Sequence, residues 1–201
     1  MTETQTTSST YDQIAASYAA RPRLAEAMDA ARRRFAARLA PGARVLDVGC
    51  GPAHDTAALR ELGLRVVGCD RSRGMLAQAR WQQLPLLLGD MRHLPVRDQA
   101  LDGLWVCASF LHIPKREALD VLQEFRRMLR LGGTLYISVK HGEGERWVAQ
   151  SGGHERFFAF YREDELDMLL AGAGFMPRES WLDADSLGRR DTWIGRLAEA
   201  D

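Results

Sequence analysis

A doubly wound α/β domain with a mostly parallel sheet is the fold class this sequence predicts, on three observations. Short apolar runs alternate with segments of helical spacing through residues 44–140. The runs are almost continuously apolar, as strands buried on both faces are. Three of them end on an acidic residue or a glycine bend, the edge where open α/β sheets bind ligands.

The elements follow in order. Residues 1–10 are polar and rich in Ser and Thr, and read as a disordered tail before a single domain over 11–201, with helices over 11–40 and the core over 41–201. Over 23–39, Leu24, Met28, Phe35 and Leu39 fall on one helical face, and Arg32, Arg33, Arg34 and Arg38 mostly on the other, which reads as solvated. The run 44–48 closes on Gly49-Cys50-Gly51-Pro52, and helical spacing returns over 54–62 until Gly63. Strand runs at 64–69 and 84–88 end at Asp70 and Gly89-Asp90, with a helix over 72–81 between them. A strand at 102–109 leads to an amphipathic helix over 115–131, with Leu119, Leu122, Phe125 and Leu129 on its apolar face. Gly132-Gly133 turns the chain into alternating apolar residues at 135–139. A helix carrying Leu166, Leu169, Leu170 and Ala173 stops at Gly174, where a left-handed cap is favoured. Two β segments, 179–182 and 191–197, flank a polar stretch over 183–190 and predict an antiparallel pair at a sheet edge, covered by Trp181 and Trp193.

Composition narrows the function. An apolar fraction of 46% over 201 residues supports one substantial core. Lys+Arg and Asp+Glu both number 27, so the formal charge is zero, which disfavours a protein held to nucleic acid by phosphate neutralisation. No apolar run approaches the ~18 residues that span a bilayer, and the N-terminus lacks the order of a secretory signal. Cys50, Cys69 and Cys107 are odd in number and widely spaced, which suits neither a disulfide framework nor a zinc site. A cytoplasmic protein without metal or membrane partner is the expectation.

The chemistry gathers at the strand ends. Gly49 and Gly51 permit a tight turn and a close approach of ligand to backbone, and the helix behind them offers free N–H groups. Asp70, at the end of the second strand, suits the two hydroxyls of a ribose, and Asp90 suits an exocyclic amine such as adenine N6. A dinucleotide site wants a third glycine, but His54 stands there. Asp47, two residues before the bend, would repel a pyrophosphate and attract an ammonium. An adenosine carrying an amino acid, S-adenosylmethionine, satisfies these groups together.

VLDVGCGPAHDT (45–56), VVGCDRSRGML (66–76) and LLLGDMRHLPVRDQALDGLWVCASFLHI (86–113) resemble successive motifs of the class I S-adenosylmethionine-dependent methyltransferase superfamily, in its small-molecule branch. RMLRLGGTLYISVK (127–140) and FYREDELDMLLAGAGF (160–175) resemble its later elements. The resemblance implies a seven-stranded sheet with an antiparallel terminal hairpin and N-terminal cap helices. It implies Asp47, Gly49, Cys50 and Gly51 around the methionine and ribose, Asp70 on the ribose hydroxyls, and Arg71 and Met75 beside the adenine. Asp90 and Met91 would meet the adenine's polar edge, Ser109 the sulfonium, and Tyr11 and Tyr18 would close over the cofactor. Ala53 departs from the glycine usual there.

For the acceptor, the candidates are His112 with Tyr11 and Tyr18, and then His141, Arg156 and Phe158. His112 reads equally as a helix-start histidine bonded to backbone. The aromatic and arginine-rich segment 142–160 reads first as a packed loop and second as a substrate lid. The leading function is methyl transfer to a small molecule. The rivals are an enzyme methylating carboxymethyl groups on tRNA wobble uridines, and a non-catalytic domain that senses S-adenosylmethionine or S-adenosylhomocysteine. A nicotinamide oxidoreductase stands further off. Monomer and homodimer are both open.

Overall fold

In the strand β1 (Arg44–Val48), Val45 packs on one side of a sheet in a cluster with Phe35 and Trp105. Leu46 and Val48 pack on the other side, with Val106 and Phe110. Both faces are covered, so the apolar residues run on without alternation. The computed structural model describes residues 1–20, 25–80, 83–149, 153–184 and 192–201. Expectations that fell on Arg23, Leu24, Trp81, Arg190 and Asp191 lie outside the described residues.

Around β1 the chain runs through α1 (Glu3–Ala19), α2 (Ala25–Ala36), β1, α3 (His54–Glu61), β2 (Arg65–Asp70), α4 (Arg73–Gln78), β3 (Leu86–Leu88) and β4 (Leu101–Cys107). A 3-10 turn (Phe110–His112), α5 (Lys115–Met128), β5 (Leu129–Lys140), β6 (Glu145–Ala149) and β7 (Glu155–Ala159) follow. The chain then forms α6 (Glu163–Gly172), β8 (Phe175–Ala184) and β9 (Thr192–Ala200). Seven strands lie in the order β3-β2-β1-β4-β5-β9-β8. The first five are parallel, and β9 runs antiparallel to both β5 and β8. The doubly wound sheet with its antiparallel terminal hairpin is therefore as the sequence predicts. Its direction of travel reverses between β1 and β4, which opens a crevice at their carboxyl ends.

Aromatic stacking fixes the far face. Phe35 meets Trp105 edge-on at 5.3 Å, Trp105 stacks on Tyr136 at 3.8 Å, and Tyr136 faces Trp181 at 6.0 Å. Gly195 makes room for this ladder, since a Cβ there would lie 2.4 Å from the Trp181 ring.

Four expectations need correction. Residues 3–10 are not a disordered tail but the first half of α1. Thr2 caps that helix, accepting from Gln5 N–H while the Gln5 side chain accepts from Thr2 N–H. Thr4, Thr7 and Thr10 are buried along one face of it. Arg32 is not solvated: it is 7% exposed, and its Nε and Nη2 donate to Asp55 Oδ1 at 3.1 and 2.5 Å while Nη1 donates to Asp29. The helix predicted to reach residue 131 stops at Met128, because Leu129 already pairs with Leu101 in the sheet. Its buried face is Ala118, Val121, Leu122, Phe125 and Met128, with Leu119 at the margin and 38% exposed. Finally, the segment 142–160 contains the two-stranded antiparallel sheet β6–β7, with Arg146 lying 3.6 Å above the Phe160 ring.

Candidate active site

The bend after β1 is built from left-handed residues. Gly49 has φ 74° and Gly51 φ 54°. Gly49 N–H and Cys50 N–H both donate to the Cys69 carbonyl, at 2.7 and 2.9 Å, which pins the bend to β2. A Cβ on Gly49 would lie 2.2 Å from Ser109 Cβ, so the end of β4 is seated directly on this glycine. Ser109 Oγ donates to the Val48 carbonyl at 2.6 Å and braces β4 to β1. Ala53 (φ 61°) and Ala108 (φ 52°) are also left-handed. For a residue with a Cβ that conformation costs about 1–2 kcal/mol, and such strain concentrates at functional sites. The methyl group at Ala53, where the family resemblance leads one to expect glycine, is thus held at some strain.

Asp70 closes the other side of the bend. Its Oδ2 accepts from Gly51 N–H and its Oδ1 from Ser72 N–H, both at 2.8 Å. Burial pushes its pKa above the ordinary range, against those N–H bonds, which favour the charged form. Each carboxylate oxygen has a second acceptor direction, so the pair can still take two hydroxyl donors. Asp90 is differently placed. Burial works against its charge, but Arg92 grips both oxygens at 3.0 and 2.7 Å, and with the charge of Arg71 holds its pKa low. Arg71 Nη1 approaches Asp90 Oδ2 at 2.9 Å yet forms no hydrogen bond, leaving a buried donor beside the cavity.

These groups line one cavity of about 160 Å³. Its cover is α1, which contributes Thr4, Thr7, Ser8, Tyr11 and Tyr18 to the walls. The helix is tied down by polar bonds. Asp12 Oδ1 accepts from Ser72 Oγ at 2.6 Å and from Gly74 N–H at 2.7 Å. Thr10 Oγ1 donates to the Glu155 carbonyl and Thr7 Oγ1 accepts from Phe157 N–H. Gly74 permits the approach, since a Cβ there would come within 2.8 Å of the Asp12 backbone.

Every cofactor residue expected from the sequence lies along this cavity except Asp47. Asp47 is 2% exposed and accepts from Thr56 Oγ1 at 2.6 Å, so it braces α3 from behind the wall. On the acceptor side, Tyr11, Tyr18 and His112 line the cavity. His141 does not: it is exposed, with its backbone bonded to Thr192. Arg156 and Phe158 stand one layer back, Arg156 reaching Tyr11 Oη at 2.6 Å and Phe158 packing on the His112 ring at 4.7 Å. The sequence reading missed Thr4, Thr7, Ser8, Asp12 and Asp55. The Thr2-x-x-Gln5 capping pattern was the available signal for the first three. Among the described residues no group of His, Cys, Asp and Glu is placed to hold a metal, and no helix is long and apolar enough to cross a membrane.

His112 is held neutral. Burial lowers its pKa to about 3 against the bond to the Phe157 carbonyl, and the charges of Arg156 and Lys140 act in the same direction as burial. The unfolded chain takes up this proton near pH 6.5 while the folded chain refuses it until about pH 3. The contribution is therefore intact above pH 6.5 and falls away as the pH drops below that value. In thermal unfolding from pH 7 to 5, His112→Gln should lose less Tm than wild type; parallel profiles would show that the histidine is not held neutral.

A family profile described as Methyltransferase domain matches residues 46–137. The malonyl-[acyl-carrier protein] O-methyltransferase of Yersinia pestis is 42% identical over 97 residues, 47% of this chain and 35% of that protein. Methyltransferase GfsG of Streptomyces halstedii is 36% identical over 126 residues, 57% of this chain and 45% of that one. The matched stretch thus spans less than half the length of these relatives. The solved structure of the Burkholderia thailandensis 1,6-didemethyltoxoflavin-N1-methyltransferase, with bound 1,6-didemethyltoxoflavin and S-adenosylhomocysteine, superposes with a TM-score of 0.72 at 25% identity. That match covers 88% of this chain and 79% of the other.

Proposed function

We propose, from the methyltransferase-domain match over residues 46–137 and the likeness of the fold to a methyltransferase structure, that the chain is a class I S-adenosylmethionine-dependent methyltransferase that moves the methyl group of S-adenosylmethionine to a small-molecule acceptor and releases S-adenosylhomocysteine. The observation that carries this reading is the joining, in one cavity, of the Gly49–Gly51 bend, the Asp70 carboxylate and the Tyr11–His112 pair.

The residues fit that cofactor on structural grounds. The Gly49 cradle excludes a Cβ, Asp70 keeps acceptor directions for a ribose diol, and Arg71 presents a buried donor with no hydrogen bond of its own. Met75, 1% exposed, supplies an apolar wall. S-adenosylmethionine brings an already activated methyl group on a sulfonium. What remains for the protein is to hold the acceptor in line, exclude water and accept any proton the acceptor sheds. The α1 cover, the Thr7 and Tyr11 side chains and the turn at His112 are placed for the first two tasks. Zero net charge favours a small acceptor over a nucleic acid.

Calorimetry with S-adenosylmethionine and S-adenosylhomocysteine should give micromolar binding, about −8 kcal/mol. Incubation with methyl-tritiated cofactor and a small-molecule extract should then give a labelled product. Folded protein that binds neither nucleoside would end this reading. Tight binding with no product would support the sensing role instead.

A further inference from the structure

Three elements meet at the His112 end of the cavity, and their hydrogen bonds have only one consistent direction. His112 Nδ1 lies 2.6 Å from the Phe157 carbonyl of β7. A carbonyl only accepts, so Nδ1 carries the hydrogen and Nε2 is the bare lone pair. Tyr11 Oη of α1 lies 2.8 Å from Nε2 and therefore donates to it. Arg156 Nη1 of β7 lies 2.6 Å from the same oxygen and can only donate, which takes one of its lone pairs. The phenol has spent its hydrogen and keeps one lone pair, and both Tyr11 and His112 line the cavity.

We propose that Tyr11 and His112 form a proton relay for an acceptor methylated on a hydroxyl oxygen, so that the substrate class is an alcohol, enol or phenol and not a carboxylate. The proposal rests on the methyl-transfer reading above and narrows it. A hydroxyl acceptor finds at Tyr11 Oη a lone pair to receive its O–H, and that bond orients its own lone pair for attack. A carboxylate arrives with no proton and meets an oxygen with no hydrogen left to give. As the acceptor oxygen bonds to the methyl carbon and the carbon–sulfur pair stays on sulfur, the acceptor proton passes to Tyr11 Oη. The proton of Tyr11 passes at the same time to His112 Nε2. The charge that leaves sulfur reappears on the imidazole, so the site's total charge is constant, and the imidazolium then gives its proton to water.

The charged surroundings agree. The groups facing His112 are Tyr11 of α1, with Tyr18 edge-on behind it, Arg156 of β7 and Lys140 of β5. Burial, with the charges of Arg156 and Lys140 beside it, keeps the imidazole weakly basic. A weak base suffices for a proton on an oxygen that is taking a methyl group, because that proton becomes strongly acidic. It does not suffice for an ammonium. Arg156 acts through Tyr11, as a positioning residue, with its guanidinium 5.0 Å over the phenol ring.

Nitrogen-15 histidine spectra of the whole protein with S-adenosylhomocysteine, assigned through His112→Gln, test the relay without an acceptor. The expected His112 pattern is Nδ1-protonated with no titration from pH 8 to 5. Tyr11→Phe should move the Nε2 resonance toward that of a bare imidazole nitrogen. Arg156→Ala should raise the His112 midpoint, and Arg156→Lys should leave it low. An Nε2-protonated ring, or a midpoint near 6.5, overturns the relay. The acceptor class is read by treating the tritiated product with mild alkali. Label that stays non-volatile, in an O-methyl ether, supports the proposal, and Tyr11→Phe should then slow its formation about 100-fold or more. Label released as methanol marks a carboxyl ester and overturns it, as does an N-methyl product. No product at all, with the His112 spectra as expected, overturns the methyl-transfer reading and the acceptor class with it, while the relay geometry stands.

Discussion

Gly49→Ala is expected to abolish binding of S-adenosylhomocysteine and to lower Tm by roughly 10 °C, taking about 2–4 °C per kcal/mol for a domain of this size. Two penalties combine. At φ 74° an alanine carries the left-handed cost of about 1–2 kcal/mol. Its methyl would also sit 2.2 Å from Ser109 Cβ and 2.8 Å from Ser109 Oγ. Relieving that overlap means moving the end of β4 away from β1, at about 1–3 kcal/mol, and breaking the bond from Ser109 to the Val48 carbonyl. The two N–H bonds from Gly49 and Cys50 to the Cys69 carbonyl resist any shift of the bend itself. Gly51→Ala is the control. It has φ 54° but open space around the added methyl, so only the conformational cost of about 1–2 kcal/mol applies. Equal effects from the two substitutions, in scanning calorimetry and ligand titration, would refute the assigned role of Ser109.

Asp55→Ala is expected to destabilise the fold by about 3–5 kcal/mol, the usual loss when one member of a buried ion pair is removed. Asp55 is 8% exposed and collects three donors: Arg32 Nε and Nη2 on Oδ1, and Trp105 Nε1 on Oδ2 at 3.1 Å. Alanine leaves a nearly enclosed guanidinium with Asp29 as its one remaining ion-pair partner among the described residues, and it strands the indole N–H beneath the aromatic ladder. Asp55→Asn keeps an acceptor and should lose less. Adding Arg32→Met to Asp55→Ala should recover part of the loss by removing the orphaned charge. Urea denaturation of the four proteins measures this, and a double variant no better than the single would show that Arg32 is not the source.

The same residues show what was legible in the chain. Gly49, Gly51, Asp70 and Asp90 could be placed because parallel strands bring their carboxyl ends to one rim, so position along a strand is already position at the site. The cover was hidden because its buried face is threonine. Thr7 and Thr10 bond to β7 and Thr4 to Thr2 through their hydroxyls, and a polar stripe does not raise the apolar periodicity by which helices are found. Arg32 was misplaced for a related reason. Its sequence neighbours Arg33 and Arg34 suggest a solvated face, and the carboxylate that draws it inward lies on α3, 23 residues away. Asp47 illustrates the limit of strand-end logic, since its carboxylate turns to Thr56 and does not lie along the cavity. Strands β6 and β7 are five residues each and pair only with each other, too short for alternation to stand out.

The placing of β9 governs how the molecule comes into being. It is the ninth strand to be synthesised, yet it lies inside the sheet, hydrogen-bonded to β5 on one flank and β8 on the other. Until Thr192–Ala200 has left the ribosome, the outer edge of the twelve-residue β5 has no neighbour, and β8 has nothing to join. A bare edge of that length is an aggregation template, and pairing between segments so distant along the chain is slow. Completion of the sheet therefore waits on the ninth strand, whose insertion covers the edge of β5 and gives β8 its partner.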